Sequence, residues 1–282
     1  MALTIRSDWH IHSEFSYDAS LPLSYLAQKA AEYGFQRIGI TDHVNYNDIE
    51  FLTDLKNSSE AVKAFQKEHP NMILGVELNP ISKVKYDYIA KHGTREGHVL
   101  PVQDEIFEIM LPVTKEELMA RGVQYAIAAV HNRQDVAKVL RDPKDVAGNI
   151  KEWHRQQMFL ACEEAVTVLG HPWDHGGALW YEDFSVIPQS MHREFAAALK
   201  ENSKYAECNG CFFRSPKTTE KFRNQYAEYL RMLFETGIPI TYGSDTHSIY
   251  ANGHEAAAPY LEKAGFVDGE IGGIREKELW IR

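Results

Sequence analysis

The sequence predicts an α/β protein whose parallel strands close into a distorted (β/α)7 barrel, with an open doubly wound sheet as the alternative. Two observations carry this. Seven short runs, mostly apolar or β-branched, alternate with longer amphipathic runs along the whole chain, the pattern of strand–helix units in a parallel sheet. Polar residues of chemical interest then fall at or just after the ends of most of those strands, where a barrel carries its function.

The strands are expected at 3–7, 37–41, 72–78, 125–130, 167–170, 205–208 and 238–242. Helices are expected at 22–33, 57–69, 115–121, 151–166, 189–201, 219–235 and 255–264. The first of these puts Leu23, Leu26, Ala27, Ala30 and Ala31 on one stripe, with Pro22 at its start and Gly34 at its end. Segment 79–112 breaks the rhythm with Gly93, Thr94, Gly97 and Pro101 among mixed charges. It reads as an insertion after the third strand that forms part of a substrate wall, inside a single domain spanning 1–282.

Composition removes several classes of function. The chain has 282 residues and a formal net charge of −10, so a groove for long nucleic acid is not expected. No run of about 18 uncharged apolar residues offers a membrane span. Residues 1–8 include Arg6 and Asp8 and lack the apolar core of a signal peptide, so a cytoplasmic protein is expected. The three cysteines, Cys162, Cys208 and Cys211, are too few for a disulfide framework, and no second pair completes a four-cysteine zinc site.

The chemistry lies in the joint placement of histidines and carboxylates. Asp8-Trp9-His10-Ile11-His12 and then Asp18 follow the first strand, and Thr41-Asp42-His43 follows the second. The third ends in Glu77, the fourth at His131, the fifth at His171, and the seventh in Ser244-Asp245-Thr246-His247. Alternate residues of a strand share a face, so the imidazoles of an H-x-H can meet one metal. Nine candidate ligands then converge on one mouth: His10, His12, Asp18, His43, Glu77, His131, His171, Asp245 and His247. That is enough for two or three divalent ions, with carboxylates bridging. Such ions outweigh the three carboxylates and make the mouth attractive to a phosphate despite the acidic surface. The remaining seven histidines, among them His154 and His192, are expected at the surface.

In order, D-x-H-x-H, T-D-H, G-x-E and the late S-D-x-H resemble the polymerase-and-histidinol-phosphatase (PHP) superfamily, with Asp18 where some members carry His. The resemblance implies a distorted seven-unit barrel holding two or three zinc, manganese or iron ions. It implies that His10, His12, Glu77 and Asp245 hold one ion, while Glu77, His131 and Asp18 surround others. A metal-bound water, with Asp245, His247 and Glu77 around it, would attack a phosphate ester directly, without a covalent phospho-enzyme. Asn209 and Arg214, after the sixth strand, would face the substrate, Arg214 as a phosphate ligand. Arg133 is a second candidate for the phosphate. Glu207 or Asp104 would suit a substrate amine. Asp8 and Asp42 are expected to accept hydrogen bonds from ligand imidazoles, or else to cap strand ends and turns.

The expected function is therefore a metal-dependent phosphoric monoester hydrolase acting on a small phosphorylated metabolite. The segment 8–18 most resembles the histidinol-phosphate phosphatase branch, which removes phosphate from L-histidinol phosphate in histidine biosynthesis. A nucleotide phosphoesterase or exonuclease of the same superfamily, a non-phosphate metallohydrolase and a non-catalytic metal-held module remain alternatives.

Overall fold

A computed structural model describes residues 2–44, 52–92, 108–131, 144–173, 183–251 and 253–281, without the side chains of 52–54. Seven parallel strands form the wall in chain order: β1 (Ser7–Ile11), β2 (Arg37–Ile40), β4 (Met72–Leu78), β7 (Tyr125–Ala128), β8 (Val168–Leu169), β9 (Tyr205–Asn209) and β10 (Ile240–Gly243). Parallel contact between Ile11 and Thr246 brings the last strand back to the first. Two backbone bonds support that closure, His12 N to Thr246 O (2.9 Å) and Asp245 N to His10 O (2.8 Å). The barrel is nearly closed, and the open-sheet alternative is set aside. The two-residue β3 (His43–Val44) extends the wall beside β4, and β11 (Ile271–Gly272) pairs with the start of β10.

Helices α1 (Leu23–Glu32), α2 (Leu52–Gln66), α4 (Lys115–Ala120), α5 (Val146–Cys162), α6 (Gln189–Glu201), α8 (Glu220–Glu235) and α9 (Gly253–Lys263) occupy the connections. Their ends follow capping chemistry. Thr114 and Glu117 form a reciprocal capping box on α4, Asp145 caps α5 through Gly148 N, and Thr219 caps α8 through Phe222 N. Among the described residues no helix is long and apolar enough to cross a membrane. Within 79–112, α3 (Lys83–His92) lies between β5 (Ile81–Ser82) and β6 (Ile109–Met110), which pair antiparallel. Residues 93–107, with Asp104, lie outside the described part.

Strand alternation sorts side chains into two cores. Met72, Leu74, Val76, Ala126 and Ala128 pack towards the helices. Ile73, Tyr125, Ile127, Val168 and Tyr205 face inward and, with Trp9, Ile274 and Leu279, form a separate apolar plug. The same alternation carries Glu77 (two past Gly75) and Glu207 (two past Tyr205) into the barrel above that plug.

The first strand is a correction. It runs over Ser7–Ile11, not 3–7, and the histidine motif begins inside it. Leu3 and Ile5 are buried in the outer core but precede the paired residues. Between Asp8 and Ile11 the register with β2 slips, because Asp8 lies opposite Ile38 and Ile11 opposite Ile40. One extra residue on β1 makes this a bulge, which re-aims side chains. Trp9 can then join the plug while His10 and His12 both reach the interior.

Candidate metal centre

Glu77 is the hub. Its Oε2 lies 3.2 Å from His10 Nε2, 3.3 Å from His12 Nε2 and 3.0 Å from His43 Nδ1. Its Oε1 lies 3.4 Å from His131 Nε2 and 3.3 Å from His171 Nε2. The carboxylate thus spans two groups of imidazoles, the geometry of a bridging ligand. Asp245 Oδ1 stands 3.4 Å from His12 Nε2 and 3.7 Å from His10 Nε2. Asp18 Oδ2 stands 3.4 Å from His43 Nε2 and 3.6 Å from His247 Nε2. All nine sequence-predicted ligands therefore come together. His10, His12, His43, Glu77 and His171 form a buried floor, while the side chains of Asp18, His131, Asp245 and His247 are 20–31% exposed and form the rim.

The donor set fits metal ions. Three groups bring ligand atoms within 4.8 Å of one another: His12, Asp18, His43 and His247; His10, His12 and Glu77; His43, Glu77 and His131. The Nε2 atoms of His10 and His12 face each other at 3.2 Å, where one proton at most fits between them, whereas an ion takes both lone pairs. Among the described residues, buried His12 Nδ1 has no hydrogen-bond partner, and Glu77 Oε2 and His43 Nδ1, though 3.0 Å apart, do not meet in hydrogen-bond geometry. His247 Nδ1 donates to Asp245 O (3.1 Å), which leaves its Nε2 as a lone pair towards Asp18.

The charges hold one another. Burial opposes ionisation of Glu77, but His43, His10 and His131 outweigh it and keep the carboxyl well below its usual range. Burial likewise works against the His10 cation, and Glu207, Glu77 and Asp245 outweigh it, so its pKa stands well above the usual value. His43 is raised to about 9, burial being overcome by Glu77 and Asp18. Two rim and floor residues carry backbone strain. His171 (φ 25°) and Asp245 (φ 52°) are non-glycine residues at positive φ, a feature concentrated at functional sites.

Several sequence expectations are corrected. Of the two readings of Asp8, a contact with a ligand imidazole is not seen among the described residues. Asp8 accepts from His10 N (3.2 Å), Ser244 N (2.9 Å) and Tyr250 Oη (2.5 Å), tying β1 to the loop after β10. Burial, opposed by those bonds, raises it to about 6. Asp42 accepts from Ser13 N (2.6 Å), Ser13 Oγ (2.8 Å) and Ser58 Oγ (2.6 Å), so it too fixes backbone. Glu207, expected to face a substrate amine, is 1% exposed with both oxygens occupied inside the barrel, and Asn209 is equally buried beside it. His154 and His192 are buried, His192 against Trp173, Phe184 and Tyr229. Arg214 ends the short helix α7 (Gly210–Arg214), which begins where β9 reaches the mouth. It is half-buried, and its buried Nε has no hydrogen bond among the described residues. Arg133 lies outside the described residues. Tyr17, not singled out in the sequence, has its ring 5.6 Å from that of His43, and only its position one before Asp18 hinted at this.

A parallel barrel with clustered imidazoles and carboxylates at its strand ends defines a class of proteins built to hold metal ions at the mouth. The chain belongs to the PHP domain family, which it matches over residues 8–263. It is 23% identical to the histidinol-phosphatase of Lactococcus lactis subsp. lactis (strain IL1403), over 92% of this chain and 91% of that one. Its fold resembles the crystal structure of histidinol phosphate phosphatase from the same organism, complexed with zinc, L-histidinol and phosphate. That match has a TM-score of 0.60 and 20% identity, over 93% of this chain and 95% of the other. A crystal structure of a Listeria monocytogenes protein matches with TM-score 0.61 and 14% identity, over 88% of this chain and 98% of that one.

Proposed function

We propose that this chain is a metal-dependent phosphoric monoester hydrolase whose substrate is L-histidinol phosphate. The observation that carries the chemistry is Glu77, one carboxylate facing two sets of imidazoles at 3.0–3.4 Å. Two or three divalent ions in that cluster would neutralise phosphoryl oxygens and lower the pKa of a bound water. The likeness to the Lactococcus enzyme supports the substrate and makes zinc the first ion to test.

The residues divide the work. His10, His12, Glu77 and Asp245 would hold one ion, with Glu77, His131 and His171, and Asp18, His43 and His247, around the others. The rim residues Asp18, Asp245 and His247 face the opening, where the ester would lie. Arg214, an arginine whose buried Nε has no hydrogen bond among the described residues, would take a phosphoryl oxygen. The whole chain, 1–282, would act as one catalytic unit.

The test is phosphate release from L-histidinol phosphate beside a panel of mononucleotides, bisphosphates and sugar phosphates. Selective turnover of histidinol phosphate is expected. Turnover of a nucleotide alone would retain the metal chemistry and overturn the substrate.

A further inference from the structure

Glu207 and Asn209 stand two apart on β9, so both side chains point into the barrel. Neither is among the nine candidate ligands, yet between them they touch three. Glu207 Oε1 accepts from His10 Nδ1 (2.7 Å). Glu207 Oε2 accepts from His171 N (2.6 Å) and from Asn209 Nδ2 (3.3 Å). Asn209 Nδ2 also reaches Asp245 Oδ2 (3.2 Å). His10, His171 and Asp245 come from β1, from the loop after β8 and from the loop after β10. Two of the three are the strained residues at positive φ.

We infer that the Glu207–Asn209 pair is a rack that positions three metal ligands from separate elements, and that Glu207 does not bind substrate. This rests on reading the cluster as a metal centre. By taking the Nδ1 proton, Glu207 leaves the Nε2 lone pair of His10 aimed at the ion and fixes the ring plane. By taking the His171 amide, it holds a backbone conformation that an unassisted histidine rarely adopts. Both oxygens are needed as acceptors, because each faces an N–H. Gly243 on β10 leaves room for this arrangement: a Cβ there would fall 1.9 Å from Glu207 Oε1 and 2.4 Å from His10 Cβ.

The variant Glu207→Gln separates the rack from a substrate contact. An amide presents one oxygen and one NH2, so at least one of the three N–H partners must meet a donor. Asn209→Ser is the milder second variant: serine can still cap α7, as Asn209 Oδ1 does through Cys211 N (2.8 Å), but its one short hydroxyl does not replace the amide NH2 that reaches Glu207 and Asp245. Zinc affinity is read by chelator competition on the full chain, together with kcat and KM for the phosphate ester. Glu207→Gln should lower zinc affinity roughly 10–100-fold, and Asn209→Ser at least about threefold. KM at saturating zinc should stay within about twofold of wild type. Unchanged zinc affinity in both variants, or a raised KM with zinc affinity intact, overturns the rack. Failure of the wild-type chain to bind zinc would instead overturn the metal centre beneath it.

Discussion

Gly39→Ala tests whether the plug beneath the site is packed as described. A Cβ on Gly39 would lie 1.7 Å from Tyr125 Oη and 3.1 Å from the Trp9 carbonyl oxygen. Tyr125 Oη donates to that same carbonyl at 2.6 Å, and both groups are buried. The hydroxyl must move by more than an ångström, which breaks the bond. A lost bond that strands buried groups costs about 1–3 kcal/mol, and overpacking costs about as much again. The expected loss is about 3–5 kcal/mol, a large share of the roughly 5–15 kcal/mol of a typical fold. Trp9 sits between Asp8 and His10, so the strain falls on the strand that carries the ligands. The assay is denaturant unfolding of the four proteins in a double-mutant cycle with Tyr125→Phe. Removing the hydroxyl relieves the closest contact, so alanine at 39 should cost less in the phenylalanine background by about 1 kcal/mol or more. Equal costs in the two backgrounds would refute the packing argument.

Other predictions follow from the site and its surroundings. Glu77→Gln should cut bound divalent metal per chain and lower kcat by at least about 100-fold, since it removes the charge that both imidazole groups face and replaces one of the two oxygens with a donor; metal content equal to wild type would contradict the bridging role. Arg214→Ala should raise KM for the ester by about tenfold with metal content intact, and unchanged kinetics would remove it from the phosphate site. Burial, with His154 nearby, lowers His192 to about 4, while an unfolded histidine titrates near 6.5. Its neutral form is therefore favoured in the fold, and stability should fall as pH drops from about 6.5 to about 4, by up to about 3 kcal/mol. Urea unfolding of chelator-treated wild type and His192→Gln measures this, and the wild-type excess slope over that window should vanish in the variant.

The barrel was legible because seven short strands and the helices between them repeat along the chain on both sides of the 79–112 insertion. Six of the seven strand positions overlap the observed ones closely, and α6 begins and ends where its pattern does, behind Pro188. The first strand was misjudged for a physical reason. Leu3 and Ile5 look like strand residues and are buried, whereas Asp8, His10 and His12 are polar groups that a sequence reading places in a loop. His10 and His12 lie in or just past a bulged strand because the barrel interior is where they meet Glu77, while Asp8 is held by Ser244 and Tyr250. The converging ligands were legible from strand ends and i, i+2 spacing. Their supports were not. Nothing local distinguishes Glu207, whose partners are 197 and 36 residues away, from a carboxylate at the mouth. Asp8 and Asp42 carried the same ambiguity, and the backbone amides and hydroxyls around them decided it. His192 was missed because its surroundings, Trp173, Phe184 and Tyr229, converge from three separate segments.

The most direct measurement of the central claim is a metal titration of the chelator-treated protein. Bound zinc per chain and phosphate release from L-histidinol phosphate are followed in the same samples. Activity should be absent without metal and rise together with bound metal, reaching its plateau at two or three ions per chain. Stoichiometric zinc binding with no release of phosphate from this or any other ester in the panel would contradict the account.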